Sequence, residues 1–412
     1  MSPWPLNSKG ADRVPRLVCT VSTVKDSTAN VVRFVERNLA AGVDHMFIFL
    51  EGEAEEVQTT SHALKDHGEH VTLMRVGPRY WQPKRPPGLN GRKVTHAGFV
   101  NCVLAPFPAV QWLFHIDGDE CLDIDRQHLL SLPADVPIVR LQTREVVSRA
   151  VADGEGDVFK RQLDYEDLCL LTVLGIIRAP ANGRYFNGHT SGKPGLRPNL
   201  DLRVRNHGIL DSNDGKLEHY QAESLHVLHY ESFSGEEFVR KWLAHLSSGV
   251  TPKFSGEKDQ LRAAIAAILR NPVITEERKQ ELLHEVYRRR VEDDVSTLDS
   301  LGLLVRPDAA NHSHSPQAFA PQDAQAVRQL IELLRRCDKR GFRYGNEGPQ
   351  PVQLLQDARA QLETGSHLAE RIDQCIAARE RGGTTTATTT LPSHSPSGDP
   401  AHAEADDERT TE

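Results

Sequence analysis

Between Leu17 and Ile116 the chain alternates strand-like and helix-like segments, and that rhythm is the strongest limit on its fold. Leu17 to Val24, LVCTVSTV, is apolar and β-branched, bounded by Pro15 and by Lys25-Asp26. Asp26, Ser27 and Thr28 offer side chains that cap a helix N-terminus. Val31, Val32, Val35 and Leu39 follow at helical spacing, and Gly42 supplies a stop. His45 to Leu50, HMFIFL, reads as a second strand, and a helical piece over Val57 to Lys65 leads to a third at Val71 to Val76. A Pro-rich loop then precedes a helix over Arg92 to Leu104 and a fourth strand at Trp112 to Ile116. This βαβαβ order predicts an α/β fold, a mostly parallel sheet sandwiched by helices. Such sheets bind ligands beyond the C-terminal ends of their strands.

From Val136 to Tyr230 the pattern gives short strands and loops rich in Gly, Asn and Pro, and Gly235 to Ser247 reads as a helix. Four charged helical segments follow, Lys258 to Leu269, Thr275 to Arg290, Asp323 to Arg340 and Val352 to Glu380, with a His/Ser/Pro-rich hinge at Asn311 to Gln317. The expected organisation is a flexible start (1–13), an α/β domain (14–250), a C-terminal helical appendage (251–380) and a low-complexity, disordered tail (381–412). The chain of 412 residues is 38% hydrophobic and 26% charged, which suits a soluble body carrying extra polar length. A net charge of −8 argues against a general nucleic-acid binder, so no nucleic-acid partner is expected. The six cysteines form no CxxC pair and read as buried thiols of a reducing compartment. The first residues lack an apolar signal core, and the longest apolar run, Leu168 to Ile177, falls short of the roughly 20 residues a membrane span needs. A cytoplasmic protein without a transmembrane segment is the expectation.

Three stretches carry chemistry. Asp117-Gly118-Asp119 ends the fourth strand, and residues two apart in an extended segment point to one side. Two carboxylates at the edge of a parallel sheet can bind a hard divalent cation, which clamps phosphate oxygens; Gly118 is expected to let the backbone turn and admit a ligand. The plain alternative is an acidic turn after a buried strand. Next comes Gly188-His189-Thr190-Ser191-Gly192-Lys193-Pro194-Gly195-Leu196-Arg197-Pro198, followed by His207. Lys193 and Arg197 can neutralise a diphosphate, or form an ordinary basic loop; the spacing is not that of a P-loop. The third stretch, Leu225 to Tyr230 with Ser232, Glu236-Glu237-Phe238 and Lys241, ends a strand on a histidine. An imidazole beside carboxylates favours Mn²⁺ over Mg²⁺.

Taken in order, these stretches resemble the family-2-like glycosyltransferases of the GT-A fold, in the bacterial branch with a DxDE-type motif. VSTVKDSTANVVRFVERNLAAGVDHMFIFLEG is similar to the family opening, and WLFHIDGDECL to its W-x-x-x-x-D-x-D-E-F-L. GKPGLRP with His207 resembles the K-x-x-x-R-P…H stretch, and LHYESFSGEEFVRKW the HY-x-x-x-S-x-E-E-F-x-x-K signature. The resemblance runs from Val14 to Leu246. It implies a transferase taking a nucleotide-diphosphate sugar donor and an unidentified hydroxyl acceptor, with Mn²⁺ or Mg²⁺ as cofactor and inversion at the anomeric carbon. Asp117 and Asp119 would hold the metal and the donor diphosphate, His229 would complete the metal ligands, and Lys193 and Arg197 would steady the phosphates. Asp26 stands near the nucleotide, and Glu51 takes the place of an acidic residue after the second strand. The chain departs from the family at Asp26-Ser27, Arg33, Phe34, Leu50-Glu51 and Cys121, which bears on base recognition more than on the metal.

Asp164, Glu166, Asp167 and His189 are the candidates for a catalytic base, beside Asp119 at the metal. Two rival readings stay open. One is a catalytically inactive nucleotide-sugar binder acting through its helical C-terminal part. The other is a nucleotidyltransferase, which the absence of a Gly-rich basic loop at the first strand end disfavours.

Overall fold

The computed structural model describes residues 15–150, 158–212, 215–247, 256–343 and 348–382. The expected flexible start, the boundary at residue 250 and nearly all of the expected tail lie outside them. In chain order the first half runs β1 (Leu17–Val24), α1 (Thr28–Ala40), β2 (His45–Leu50), α2 (Ala54–Ala63), β3 (Val71–Arg75), α3 (Leu89–Leu104), β4 (Val110–His115), β5 (Glu120–Ile124), α4 (Arg126–Ser131), β6 (Ile138–Val146) and β7 (Phe159–Lys160). Then come α5 (Tyr165–Val173), α6 (Asn182–Tyr185), β8 (Lys193–Leu196), β9 (Leu202–Val204), β10 (Ile209–Asp211), β11 (Leu225–His229), α7 (Gly235–Ser247), α8 (Gly256–Arg270), α9 (Glu276–Arg290), α10 (Val295–Ser300), β12 (Leu304–Val305), α11 (Pro321–Leu334), α12 (Pro351–Arg359) and α13 (His367–Gly382).

The nucleus is the parallel set β3-β2-β1-β4, as the alternating pattern predicts. All eight residues of β1 are buried because helices cover both faces. Leu17, Cys19 and Val21 pack with α3, while Val18 and Val24 pack with α1. Phe47 and Phe49 of β2 join the first group, and Met46, Ile48 and Leu50 the second, the period of two that a strand imposes. Helices α11 and α12 lie against α3, and α13 packs across those two in the same cluster, with Leu330, Leu355 and Ile372 among its buried residues. Helices α7, α8 and α9 make a separate cluster around Phe238, Ile265 and Tyr287.

Two helices differ from the expected spans. The segment expected as one helix from Val352 is two, because Gly365 takes φ +80 and turns the chain between α12 and α13. Helix α11 stops at Leu334, short of Arg340. The Lys339 ammonium folds back there onto the carbonyls of Leu334, Arg335 and Cys337, at 3.3, 2.8 and 3.1 Å.

The sheet continues past β4 through β8, β6, β7 and β12, with β11 beside β6 and β5 beside β11. From β1 the chain steps outward to β2 and β3, then returns to place β4 on the other side of β1. The strand order therefore switches between β1 and β4, and their C-terminal ends open the crevice in which such folds place a ligand.

Candidate metal and diphosphate site

The Asp117–Glu120 turn leaves β4 at that crevice. It is closed by hydrogen bonds from the Asp117 N–H to Glu120 Oε2, 2.8 Å, and from the Glu120 N–H to the Asp117 carbonyl, 3.1 Å. Gly118 does not need a left-handed backbone. Its missing side chain leaves room against Val24 of β1, 3.2 Å from where a Cβ would stand.

Strand register then brings distant residues to this turn. β11 pairs antiparallel with β5 and parallel with β6, so that His229 lies opposite Glu120 on one side and Glu145 on the other. Glu145 in turn lies opposite Lys160 of β7. Residues opposite one another share a face of the sheet, so Glu120, His229, Glu145 and Lys160 form one polar row across four strands. Lys160 is fully buried and donates to the Tyr185 carbonyl at 3.0 Å, with Glu145 and Asp293 each at 3.1 Å. Its pKa is raised because these two carboxylates outweigh burial, which acts the other way.

Three carboxylates converge on His229. Its Nε2 lies 3.4 Å from Glu231 Oε2 and 3.9 Å from Asp119 Oδ2, and its Nδ1 lies 3.8 Å from Glu145 Oε2 with no hydrogen-bond partner. Burial opposes the charged imidazolium, yet Glu231 and Asp119 push its pKa up to about 9. Donor atoms of Asp119, His229 and Glu231 lie within 4.8 Å of one another, and so do those of Glu120, His189 and His229. In each group the mixture of carboxylate and imidazole donors fits a divalent cation of the Mn²⁺ type.

Asp117 stands apart from both groups. Its Oδ2 accepts from Lys193 at 2.7 Å, and its Oδ1 is in contact with the Lys93 ammonium. Lys193 also lies 3.3 Å from Glu120 Oε2 and is 1% exposed. Burial pushes Asp117 and Glu120 up, but the Lys193 ammonium shared between them holds both below the ordinary carboxylate range. Asp119 instead meets Lys241 of α7 at 2.5 Å. His189 Nε2–H donates to Glu120 Oε1 at 2.8 Å, and the His189 ring lies 4.8 Å from that of His229 and 4.6 Å from that of His207.

Thus Asp117, Asp119, His189, Lys193 and His229 are brought to one corner. Arg197 is not. β8 runs antiparallel to β4, so Lys193 meets the end of β4, while four residues on, about 13 Å of strand, Arg197 is back near its start. There it bonds the carbonyls of Leu132 and Val136, at 2.8 and 3.1 Å, and stacks on Trp112 at 4.5 Å. Asp26 follows β1 and pairs with Arg240 of α7 at 2.9 Å. Glu51 follows β2 and pairs with Arg92 at 2.7 Å and Arg85 at 3.1 Å. Among the other candidate bases, Asp164 caps α5, Asp167 pairs with Arg161 at 3.3 Å, and Glu166 is exposed in the first turn of that helix.

Glu231, Glu145 and Lys93 were not singled out from the sequence, and Glu120 entered it as the last residue of the DxDE-type motif, without a role. A signal existed for Glu231 in its place two residues after His229. A cavity of about 550 Å³ lies elsewhere, between β3 and α11, lined by His45, Met74, Phe99, Phe319 and Arg328. It shares no residue with the corner, where the ionisable groups gather. No helix of the described residues is long and apolar enough to cross a membrane.

No family model matches the chain, and no curated protein matches it. Solved structures show distant likenesses. HddC from Yersinia pseudotuberculosis is 11% identical with a TM-score of 0.28, covering 52% of this chain and 93% of its own. A Bacillus anthracis protein assigned as a glucose-1-phosphate thymidylyltransferase, in complex with sucrose, is 9% identical with a TM-score of 0.29, covering 58% and 98%. A mannose-1-phosphate geranyltransferase from Thermus thermophilus is 10% identical with a TM-score of 0.22, covering 44% and 58%. Likenesses this distant leave the activity to be argued from the residues themselves.

Proposed function

We propose that the protein is a metal-dependent glycosyltransferase of GT-A type, moving a sugar from a nucleotide-diphosphate donor to an acceptor hydroxyl with inversion. The observation that carries this reading is the meeting of Asp119, His229 and Glu231 with Lys193 and Lys241 where β1 and β4 end. Asp119, His229 and Glu231 would hold Mn²⁺ or Mg²⁺, which when bound supplies positive charge against that developing on the departing diphosphate. The Lys193 ammonium, fixed by Asp117 and Glu120, adds charge from the protein side. His189 serves as base: with Nε2–H donated to Glu120, its Nδ1 keeps a lone pair that no hydrogen bond uses. Asp26 and Glu51 would face the base and ribose, and they are positions at which the chain departs from the family it resembles.

The test is a panel of UDP- and GDP-sugars with Mn²⁺, read by release of nucleoside diphosphate. Turnover of one donor, lost in Asp119→Asn, is the expected result; full activity of Asp119→Asn on a confirmed donor overturns the ligand assignment. One observation favours the rival, a nucleotide-sugar binder without turnover. Each carboxylate of the Asp117–Asp119 pair already faces a lysine. Calorimetry separates the two, since binding of UDP and Mn²⁺ with no transfer to any acceptor is the rival's signature.

A further inference from the structure

The two acids of the turn are neutralised in different ways. Lys193 is 1% exposed and wedged between Asp117 and Glu120, two carboxylates of one closed turn. Lys241 comes from a separate helix. Its side chain is 18% exposed, and Asp119 beneath it is 29% exposed. The Lys241 ammonium reaches Asp119 Oδ2 at 2.5 Å, the Glu231 carbonyl at 2.7 Å and the Tyr230 carbonyl at 3.3 Å. Three N–H donors and three oxygens make a filled cage. That cage is built on Asp119 and on the backbone of Glu231, two of the three residues whose side chains, with His229, form the candidate ligand group.

We infer that Lys241 is a built-in competitor for the cation site: it holds Asp119 in the metal-free protein and must release that carboxylate before Asp119 can ligate. This rests on the reading of Asp119, His229 and Glu231 as ligands. An ammonium in contact with a ligand carboxylate repels a divalent cation and competes with it for the same oxygen. Removing the charge while keeping the length of the side chain therefore tightens cation binding, the opposite of what loss of a merely structural residue does.

The test is Mn²⁺ binding to the full-length protein without nucleotide, followed by calorimetry and by the electron paramagnetic resonance signal of free Mn²⁺. Lys241→Met and Lys241→Gln are expected to bind Mn²⁺ at least about tenfold more tightly than the parent, in line with a lost like-charge contact. Lys241→Arg, which keeps the charge, is expected to stay near the parent. Two neutral variants guard against one that misfolds, and a thermal melt identifies it. Unchanged or weaker affinity in folded neutral variants, with binding still lost in Asp119→Asn, overturns the role of Lys241 and leaves the ligand set standing. Equal Mn²⁺ binding by the parent and Asp119→Asn overturns both.

Discussion

Gly188 lies against the site so closely that a Cβ there would stand 2.3 Å from His229 Cε1 and 2.6 Å from Glu145 Oε2. Its N–H also donates to Glu145. Gly188→Ala is therefore expected to cost about 1–3 kcal/mol of stability, as overpacking does, and to weaken Mn²⁺ binding by moving the imidazole. A urea melt and a Mn²⁺ titration check the two parts; a variant as stable as the parent contradicts the packing. At this scale the sequence showed the residue types but not their partners. Asp119 and His229 were legible from the acidic turn and the histidine that ends a strand. Lys193 was legible as a cation, but its two carboxylate partners lie more than seventy positions away and no spacing reveals them. Arg197 looked equivalent to Lys193 because linear proximity says nothing of strand direction.

At the scale of elements, the register of β11 does most of the assembly, setting His229 between Glu120 and Glu145. The alternation of strands and helices up to β4 was legible because β1 and β2, buried on both faces, read as short apolar runs, while α1 shows the helical period of one buried face. The register of β11 was not, since it depends on two strands from elsewhere in the chain. The break between α12 and α13 was missed because Leu355, Leu362, Leu368 and Ile372 keep roughly helical spacing through it, and a lone glycine in such a pattern is usually tolerated. Nothing lies within 4 Å of a Cβ built on Gly365, so only its φ of +80 requires glycine. Gly365→Ala should cost about 1–2 kcal/mol through the left-handed backbone alone. Far-UV circular dichroism should keep its helical content while the melting temperature falls; an unchanged melting temperature contradicts the assigned turn.

For the whole molecule, buried histidines set the response to acid. His45 is packed between Phe47 and Phe319, and His96 is stacked on Phe49 at 3.8 Å. Burial lowers His45 to about 3 and His226 to about 4, and drives His96 well below its ordinary value. All three stay neutral in the native protein, whereas the unfolded chain takes up protons below about pH 6.5. The contribution of these three rings is therefore full above pH 6.5 and is lost as pH drops toward 4, adding roughly 3–4 kcal/mol per unit to the slope near pH 5, and His115, His207 and His219, also lowered to about 4 by burial, steepen it in the same sense. His229 acts in the other direction and above this window, because its pKa is raised. Urea melts between pH 5 and 7 measure the slope, and a flat profile contradicts the burial of these rings. The packing of α11 and α12 on α3, with α13 across those two helices, belongs to this scale too. The sequence marks them as charged helical segments, and a helical pattern does not name the surface that covers it. The central claim is that Asp119, His229 and Glu231 form a cation site for a nucleotide diphosphate, and a crystal grown with Mn²⁺ and UDP tests it most directly. An anomalous peak at the manganese edge bounded by those three side chains, with the Lys241 ammonium withdrawn from Asp119, is the predicted result. A map without that peak, with Asp119 still held by Lys241 and the diphosphate bound elsewhere, would contradict it.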